Sequence, residues 1–319
     1  MTRVDVLTAG ETMMALRATG LIRLGSGFTA GVAGAESNVA IGLSRLGHSA
    51  AWLGRVGADE PGRLVVRTLR AEGVDVSAVR RDDAAPTGMI MFEQRLPDVT
   101  RVQYVRAGSA GSRLCADDVA AVPYTPAIVH LTGITPALGA SCREAVRALC
   151  ALARERGARI SLDVNHRSRL WTREEAARAL APIAAQADHV IASPDELELL
   201  HPGGAAEPIA AEPVAARLLD GGATEVVVKD GGAGARSFTA DGVRAVPAHS
   251  VQAVDSIGAG DGFVAGYLSG LLDGLDAEGR LRRAHAVGAF AVSSRGDWEG
   301  LPYRDELDMI GLPEGAALR

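Results

Sequence analysis

Short apolar runs rich in β-branched residues alternate with amphipathic stretches of helical length along most of the 319 residues, and this alternation narrows the fold more than any other feature. Residues 4–11 ("VDVLTAGE") form a buried strand, and residues 35–47 ("AESNVAIGLSRLG") carry helical apolar spacing that stops near Gly47. The pattern continues with a strand at 50–57 and a helix at 60–73, then "AIVHLTG", "CREAVRALCALARERG", "RISLDVN", "REEAARALAPIAAQ", "HVIAS", "PDELELL" and "TEVVVKDG". "GARSFTADGVRAVPA" reads as a hairpin, and "GDGFVAGYLSGLLDG" and residues 280–294 as two helices. Strands separated by helices pair in parallel, and a parallel sheet buries both faces under helices. The expectation is a three-layer α/β/α sandwich with a mainly parallel central sheet.

The alternation fails twice. Residues 13–33 and 87–107 alternate as strands without an intervening helix, and predict antiparallel strands of a small accessory β-sheet. A sheet projecting from an α/β core serves well as a lid, because group transfer requires water to be excluded. Residues 1–319 are read as one domain carrying this lid, with a Pro/Gly-rich surface loop at 201–213 ("HPGGAAEPIAAEP").

Several function classes fall away. A formal charge of −6 and the lack of a basic cluster argue against nucleic acid as a partner. No apolar run is long enough for a membrane span, and Asp5 and Glu11 interrupt the N-terminal apolar stretch. Cys115, Cys142 and Cys150 form no C-x-x-C pair, which fits reduced thiols in a cytoplasmic protein, with Cys142 and Cys150 buried in a helix. Lys229 is the only lysine among 33 basic residues, and Asp230 follows it, so no Walker A loop exists. The H-R-D and D-F-G motifs of protein kinases are absent too.

The turn "VDSIGAGDGF" (254–263) stands out. A strand end, G-A-G-D and a helix place successive N–H groups at a helix N-terminus, where they and the positive dipole end attract an anion. Asp261 reads equally as a helix cap or as a base. An ionised carboxylate beside bound phosphate is costly unless its charge is used. Phosphoryl transfer uses it, because an aspartate accepts the proton of the attacking hydroxyl.

"DSIGAGDGFVAGY" resembles the C-terminal signature of the ribokinase-like carbohydrate kinases, the PfkB family, and "GVAGAESNVAIGLSRLG" (31–47) resembles the N-terminal one. The resemblance implies a ribokinase-like fold, ATP and Mg²⁺, and Asp261 as catalytic base. It makes the N–H groups of Ile257, Gly258, Ala259 and Gly260 the anion hole. It implicates the glycine-rich turn after the strand "VVVK" in nucleotide binding through Lys229, Gly231, Gly232, Gly234 and Ala235. "SPDE" (193–196) stands where the family has N-x-x-E, which gives Glu196 a water-mediated role at Mg²⁺. Ser193 doubles as an N-cap followed by proline. Asn165 and His285 join the nucleotide set, and Asp255 is a candidate neighbour of a monovalent cation. Lid strands that pair between subunits would give a homodimer or a higher homo-oligomer.

Within that family, "RAGSAGS" (106–112), "LTGITPAL" (131–138), "SLDVNHRSRLW" (161–171) and "SSRGDWEG" (293–300) resemble the 2-keto-3-deoxygluconate kinases. A carboxylate substrate would meet Arg106 and Arg167, since a guanidinium matches a carboxylate bidentately. Tyr104 would close over it, Gly34, Ala35, Asn38 and Asp297 would face its hydroxyls, and Ile134 would line the pocket. Ile90 stands where this subgroup places a tyrosine, so a related keto acid or a plain ketose such as fructose stays open. Two other classes are weighed: a Schiff-base lyase using Lys229, and a non-catalytic sugar or nucleotide sensor.

Overall fold

The computed structural model describes residues 1–96, 99–201 and 210–312. The chain opens with β1 (Thr2–Ala9), β2 (Met13–Ala18), β3 (Phe28–Ala33) and α1 (Ala35–Arg45). There follow β4 (Ala50–Leu53), β5 (Arg55–Gly57), α2 (Glu60–Ala71), β6 (Arg80–Asp82), β7 (Met89–Leu96) and β8 (Val99–Val105). The middle comprises α3 (Ala116–Ala120), β9 (Tyr124–Thr132), α4 (Ile134–Ala137), α5 (Ala140–Glu155), β10 (Arg159–Asp163) and α6 (Arg173–Ala184). The last part runs β11 (His189–Ala192), α7 (Pro194–Leu197), α8 (Ala211–Asp220), β12 (Glu225–Lys229), β13 (Ala235–Thr239) and β14 (Gly242–Val246). Helices α9 (Ala259–Leu272) and α10 (Ala277–Val292) complete it.

Eight strands form one sheet in the order β14-β13-β12-β11-β10-β9-β1-β4. The six strands from β12 to β4 pair in parallel, while β13 and β14 return antiparallel as the expected hairpin. Successive side chains enter opposite layers, as the period of a strand requires. Val190, Ala192, Val226 and Val228 pack with α5, α6 and α8, whereas Ile191 and Val227 pack with α1, α9 and α10. Burial on both faces is why these strands read as continuous apolar runs. Cys142 and Cys150 are buried in α5, and burial pushes both thiols up to about 11, which leaves them unreactive.

The strand order reverses beside β1, with β4 on one flank and β9 on the other. Crossovers diverging from such a point leave a crevice at the carboxyl ends of the strands. Asp163 and Lys229 end β10 and β12 at that edge.

A second sheet has the order β3-β2-β7-β8. Its pairs β2–β3 and β7–β8 are antiparallel as expected, but the central pair β2–β7 is parallel. Each excursion leaves the core on its first strand and returns on its second. Joining the two outgoing strands makes them parallel. The expected loop at 201–213 differs as well, since α8 begins at Ala211, with Pro213 in its first turn where proline is tolerated. Residues 202–209 of that loop lie outside the described residues.

Candidate active site

Two cavities meet at the carboxyl edge of the large sheet. The first, about 460 Å³, lies beneath the small sheet, and all eight residues expected to hold the substrate line it: Gly34, Ala35, Asn38, Tyr104, Arg106, Ile134, Arg167 and Asp297. Asn165, Ser193, Glu196, Lys229, Gly258, Gly260 and Asp261 share its wall. The second, about 330 Å³ and largely apolar, is lined by Gly231, Gly232, Gly234, Ala259, Phe263, His285 and Val292. Lys229, Ser256 and Gly260 face both cavities.

Asp261 stands in the first turn of α9 but does not cap it. Gly258 is the N-cap residue, in the left-handed region at φ 76°, and no side chain closes the helix end. The Asp261 carboxylate instead accepts a hydrogen bond from Asn38 Nδ2 at 2.7 Å. Burial raises its pKa to about 7, against the opposing pull of Asn38 and Arg167 and with a push from Asp163 and Asp297. A group that titrates there is suited to accept a proton at neutral pH. Asn38 lines the same cavity, and among the described residues its buried Oδ1 has no hydrogen-bond partner.

The anion hole differs in one respect from the expectation. The Ile257 N–H is engaged by Asp255 Oδ1 at 3.1 Å. The N–H groups of Gly258, Gly260 and Asp261 have no backbone acceptor among the described residues, as expected at a helix start. Ala259 N–H makes only a long contact, 3.4 Å, to Ser256 O.

Lys229 Nζ donates to Asp163 Oδ1 at 2.8 Å. Burial alone would lower its pKa, but Asp163, Glu196 and Asp261 outweigh burial and hold the ammonium above its ordinary value. Asn165 Nδ2 donates to the other Asp163 oxygen at 3.3 Å, from a backbone with φ 39°, a conformation found at no other non-glycine residue described. Such conformations are held at functional sites by the surrounding structure.

Glu196 accepts from the N–H groups of His166 and Ser193, both at 2.9 Å, which fixes its carboxylate at the cavity rim. Ser193 Oγ turns to Asp195, so its hydroxyl serves the turn that starts α7. His285 is buried, not on the surface: its Nε2 lies 3.1 Å from Val246 O, and its ring meets Phe263 edge-on at 5.2 Å. Ala235 departs from its expected place. It pairs with Lys229 and Val246 in the sheet and packs into the apolar core, lining neither cavity.

On the substrate side, Arg106 Nε donates to Glu11 Oε2 at 2.7 Å, and Tyr104 covers the guanidinium at 5.4 Å. Glu11 also accepts from Ser109 Oγ. Arg106 Nη2 also meets Glu11, so among the described residues Nη1 is the guanidinium nitrogen without a carboxylate partner. Arg167 lines the same cavity and exerts its charge on Asp261. Asp297 is met by Arg17 Nη2 at 2.5 Å, yet burial still raises its pKa to about 7. Met13, Ile90, Phe92 and Val102 of the small sheet form an apolar roof.

Sequence reasoning missed Glu11, Arg17, Glu36 and Asp163. Glu36 is wholly buried, and burial raises its pKa despite hydroxyl donors from Thr132 and Thr135 at 2.6 Å each. Only Asp163 left a local signal, the D-x-N spacing before Arg167.

Comparison with known proteins follows this geometry. A family model described as pfkB family carbohydrate kinase matches residues 4–304. The chain is 37% identical over 311 residues to a 2-dehydro-3-deoxygluconokinase of Bacillus subtilis, covering 96% of this chain and 94% of that protein. It is 38% identical over 316 residues to one from Thermoproteus tenax, with the same coverages. Among solved structures, fructokinase with bound ATP from Xylella fastidiosa superposes with a TM-score of 0.84 at 26% identity, covering 96% of this chain and 97% of that one.

Proposed function

Because the chain belongs to the pfkB family of carbohydrate kinases, we propose that it transfers a phosphoryl group from ATP to the 6-hydroxyl of 2-keto-3-deoxygluconate. One observation carries the proposal: a proton-accepting carboxylate, a set of unpaired helix N–H groups and two arginines converge on one cavity under the small sheet. Two relatives that match 96% of the chain bear the name of this activity.

Each part has a role. Asp261 takes the proton of the attacking hydroxyl, and Asn38 fixes the carboxylate by donating to one of its oxygens. Gly258, Gly260 and Asp261 N–H groups neutralise charge on the transferring group. Arg106 and Arg167 take the substrate carboxylate, and the small sheet acts as a lid that keeps water out. The second cavity suits the base and ribose of the nucleotide, with Lys229 and Gly260 at the junction. A magnesium ion would be held mostly by phosphate oxygens and water, the water oriented by Glu196, whose carboxylate two N–H groups fix at the cavity rim. When bound it neutralises phosphate charge.

The Asp255 side chain is not an uncommitted ligand for a monovalent cation. Asp255 Oδ2 accepts from Arg17 and Oδ1 from Ile257, so its charge is already met. Nor does Lys229 suit Schiff-base chemistry, since its amine is protonated and paired with Asp163. No described helix is long and apolar enough to cross a membrane, and the unpaired thiols accord with a cytoplasmic location. The exposed Leu96, Val99 and Val105 on the small sheet accord with a homodimer through that sheet, which sedimentation velocity tests.

Fructose is the alternative acceptor, favoured by Ile90, which gives the roof an apolar side chain in place of a phenol. Arg106→Ala separates the two. It should cut kcat/KM for the keto acid about 100-fold and that for fructose by less than about tenfold. Equal losses on both would remove the carboxylate role.

A further inference from the structure

Arg17 reaches from β2 of the small sheet onto the turn that carries the anion hole. Its Nη1 donates to Asp255 Oδ2 at 3.2 Å and its Nη2 to Asp297 Oδ1 at 2.5 Å. The guanidinium lies 4.3 Å from the centre of the Phe92 ring, so it is seated from the small-sheet side as well. Each carboxylate it meets is attached to the anion hole by its own route. Asp255 Oδ1 holds the Ile257 N–H. The Asp297 carbonyl packs directly under Gly258, where a Cβ would lie 1.8 Å from the oxygen. The Asp255 and Asp297 side chains are only 12% and 9% exposed. Without a cation between them, two nearly buried carboxylates would repel each other across this turn.

We propose that Arg17 is a positioning residue that couples the small sheet to the anion-hole turn, so that the 255–260 backbone takes its working geometry when β2 stands over the substrate cavity. Arg17 touches no reacting atom in this account. It acts through Asp255 on Ile257, and through Asp297 on Gly258. Only Asp297 Oδ1 bonds Arg17, which leaves Oδ2 to face a substrate hydroxyl in this account. A planar guanidinium bridges two carboxylates at once, which an ammonium cannot do with the same geometry. The coupling rests on the kinase reading above, and the unsubstituted enzyme tests that reading in the same assay.

The test compares the parent enzyme with Arg17→Gln and Arg17→Lys, using 2-keto-3-deoxygluconate, ATP and magnesium, with circular dichroism as the check on folding. Arg17→Gln should lower kcat about 30-fold while the KM for ATP changes less than about threefold, because the donors are present but misplaced. Millimolar guanidinium should restore part of the lost rate in Arg17→Gln and none in the parent. Arg17→Lys should fall between the two, with kcat and not KM affected. A parent-like kcat in Arg17→Gln overturns the coupling, as does a folded Arg17→Gln whose loss neither lysine nor guanidinium relieves. Should Arg17→Gln fail to fold, Arg17→Lys decides alone: a lowered kcat at unchanged KM supports the coupling, and a parent-like kcat overturns it. Absence of turnover in the parent would overturn the kinase reading, and the coupling with it.

Discussion

Asp261→Asn is expected to abolish turnover and, above neutral pH, to make the protein more stable. The loss of the base should lower kcat by about 10³-fold or more, while ATP binding measured by calorimetry stays within about threefold. The gain in stability follows from the same burial. The carboxyl titrates near pH 7 in the folded chain and near 4 in an unfolded one. A group whose pKa is raised on folding contributes stability that is complete below the unfolded value and is lost as pH rises through the folded one. The parent therefore weakens between about pH 4 and 7, and asparagine, which does not ionise, escapes that loss. At pH 8 the variant should gain on the order of 1–3 kcal/mol, with the advantage shrinking toward pH 5. Thermal melts at the two pH values check it. A variant that is inactive and no more stable at pH 8 would show that the carboxylate is not strained by its burial.

The pH profile of the parent carries the same signature. Since the base must be ionised, kcat/KM should fall on the acid side with an apparent pKa near 7, a value that belongs jointly to Asp261 and Asp297.

Gly258→Ala should be the most damaging single methyl among the described glycines. The residue holds φ 76°, and its Cβ would stand 1.8 Å from Asp297 O and 2.7 Å from the carbonyl carbon. Those atoms are backbone and have no rotamer to move into, so the turn itself must shift. Strain at positive φ adds about 1–2 kcal/mol to the collision, for a total destabilisation of about 3 kcal/mol or more. Displaced N–H groups should cost about 100-fold or more in kcat. Gly260→Ala is the contrast. Only Lys229 Nζ comes within reach of its Cβ, at 4.0 Å. Its melting temperature should be unchanged or slightly raised by better helix propensity, and its defect should show in KM for ATP because the methyl enters the junction between the cavities. Equal destabilisation by the two would contradict the collision argument.

What was legible in the sequence had a local cause. Parallel strands announce themselves as unbroken apolar runs, and the helix start at 258–261 needs glycine for its backbone, so both are written in neighbouring residues. Seven of the eight substrate-side residues came from motifs and Tyr104 from its place on the lid strand before Arg106, and the topology brought them to one cavity. The unseen part is the set of ion pairs that aim those residues. Glu11 finds Arg106 and Arg17 finds Asp297 across most of the fold, and in so arginine-rich a chain no spacing marks which guanidinium is committed. The parallel β2–β7 pair was equally hidden, because it depends on which edges of two hairpins meet. Ala235 shows the converse failure: a motif position carried into the nucleotide set while the strand pairing buried it in the core.

The most direct measurement is the product formed from 2-keto-3-deoxygluconate, ATP and magnesium, with phosphorus NMR locating the new phosphate and ADP counted in parallel, for the parent and Asp261→Asn. The account predicts a 6-phosphate in equal amount to ADP from the parent and neither product from the variant. ADP formed without a phosphorylated acid, a higher kcat/KM for fructose, or undiminished turnover by Asp261→Asn would contradict it.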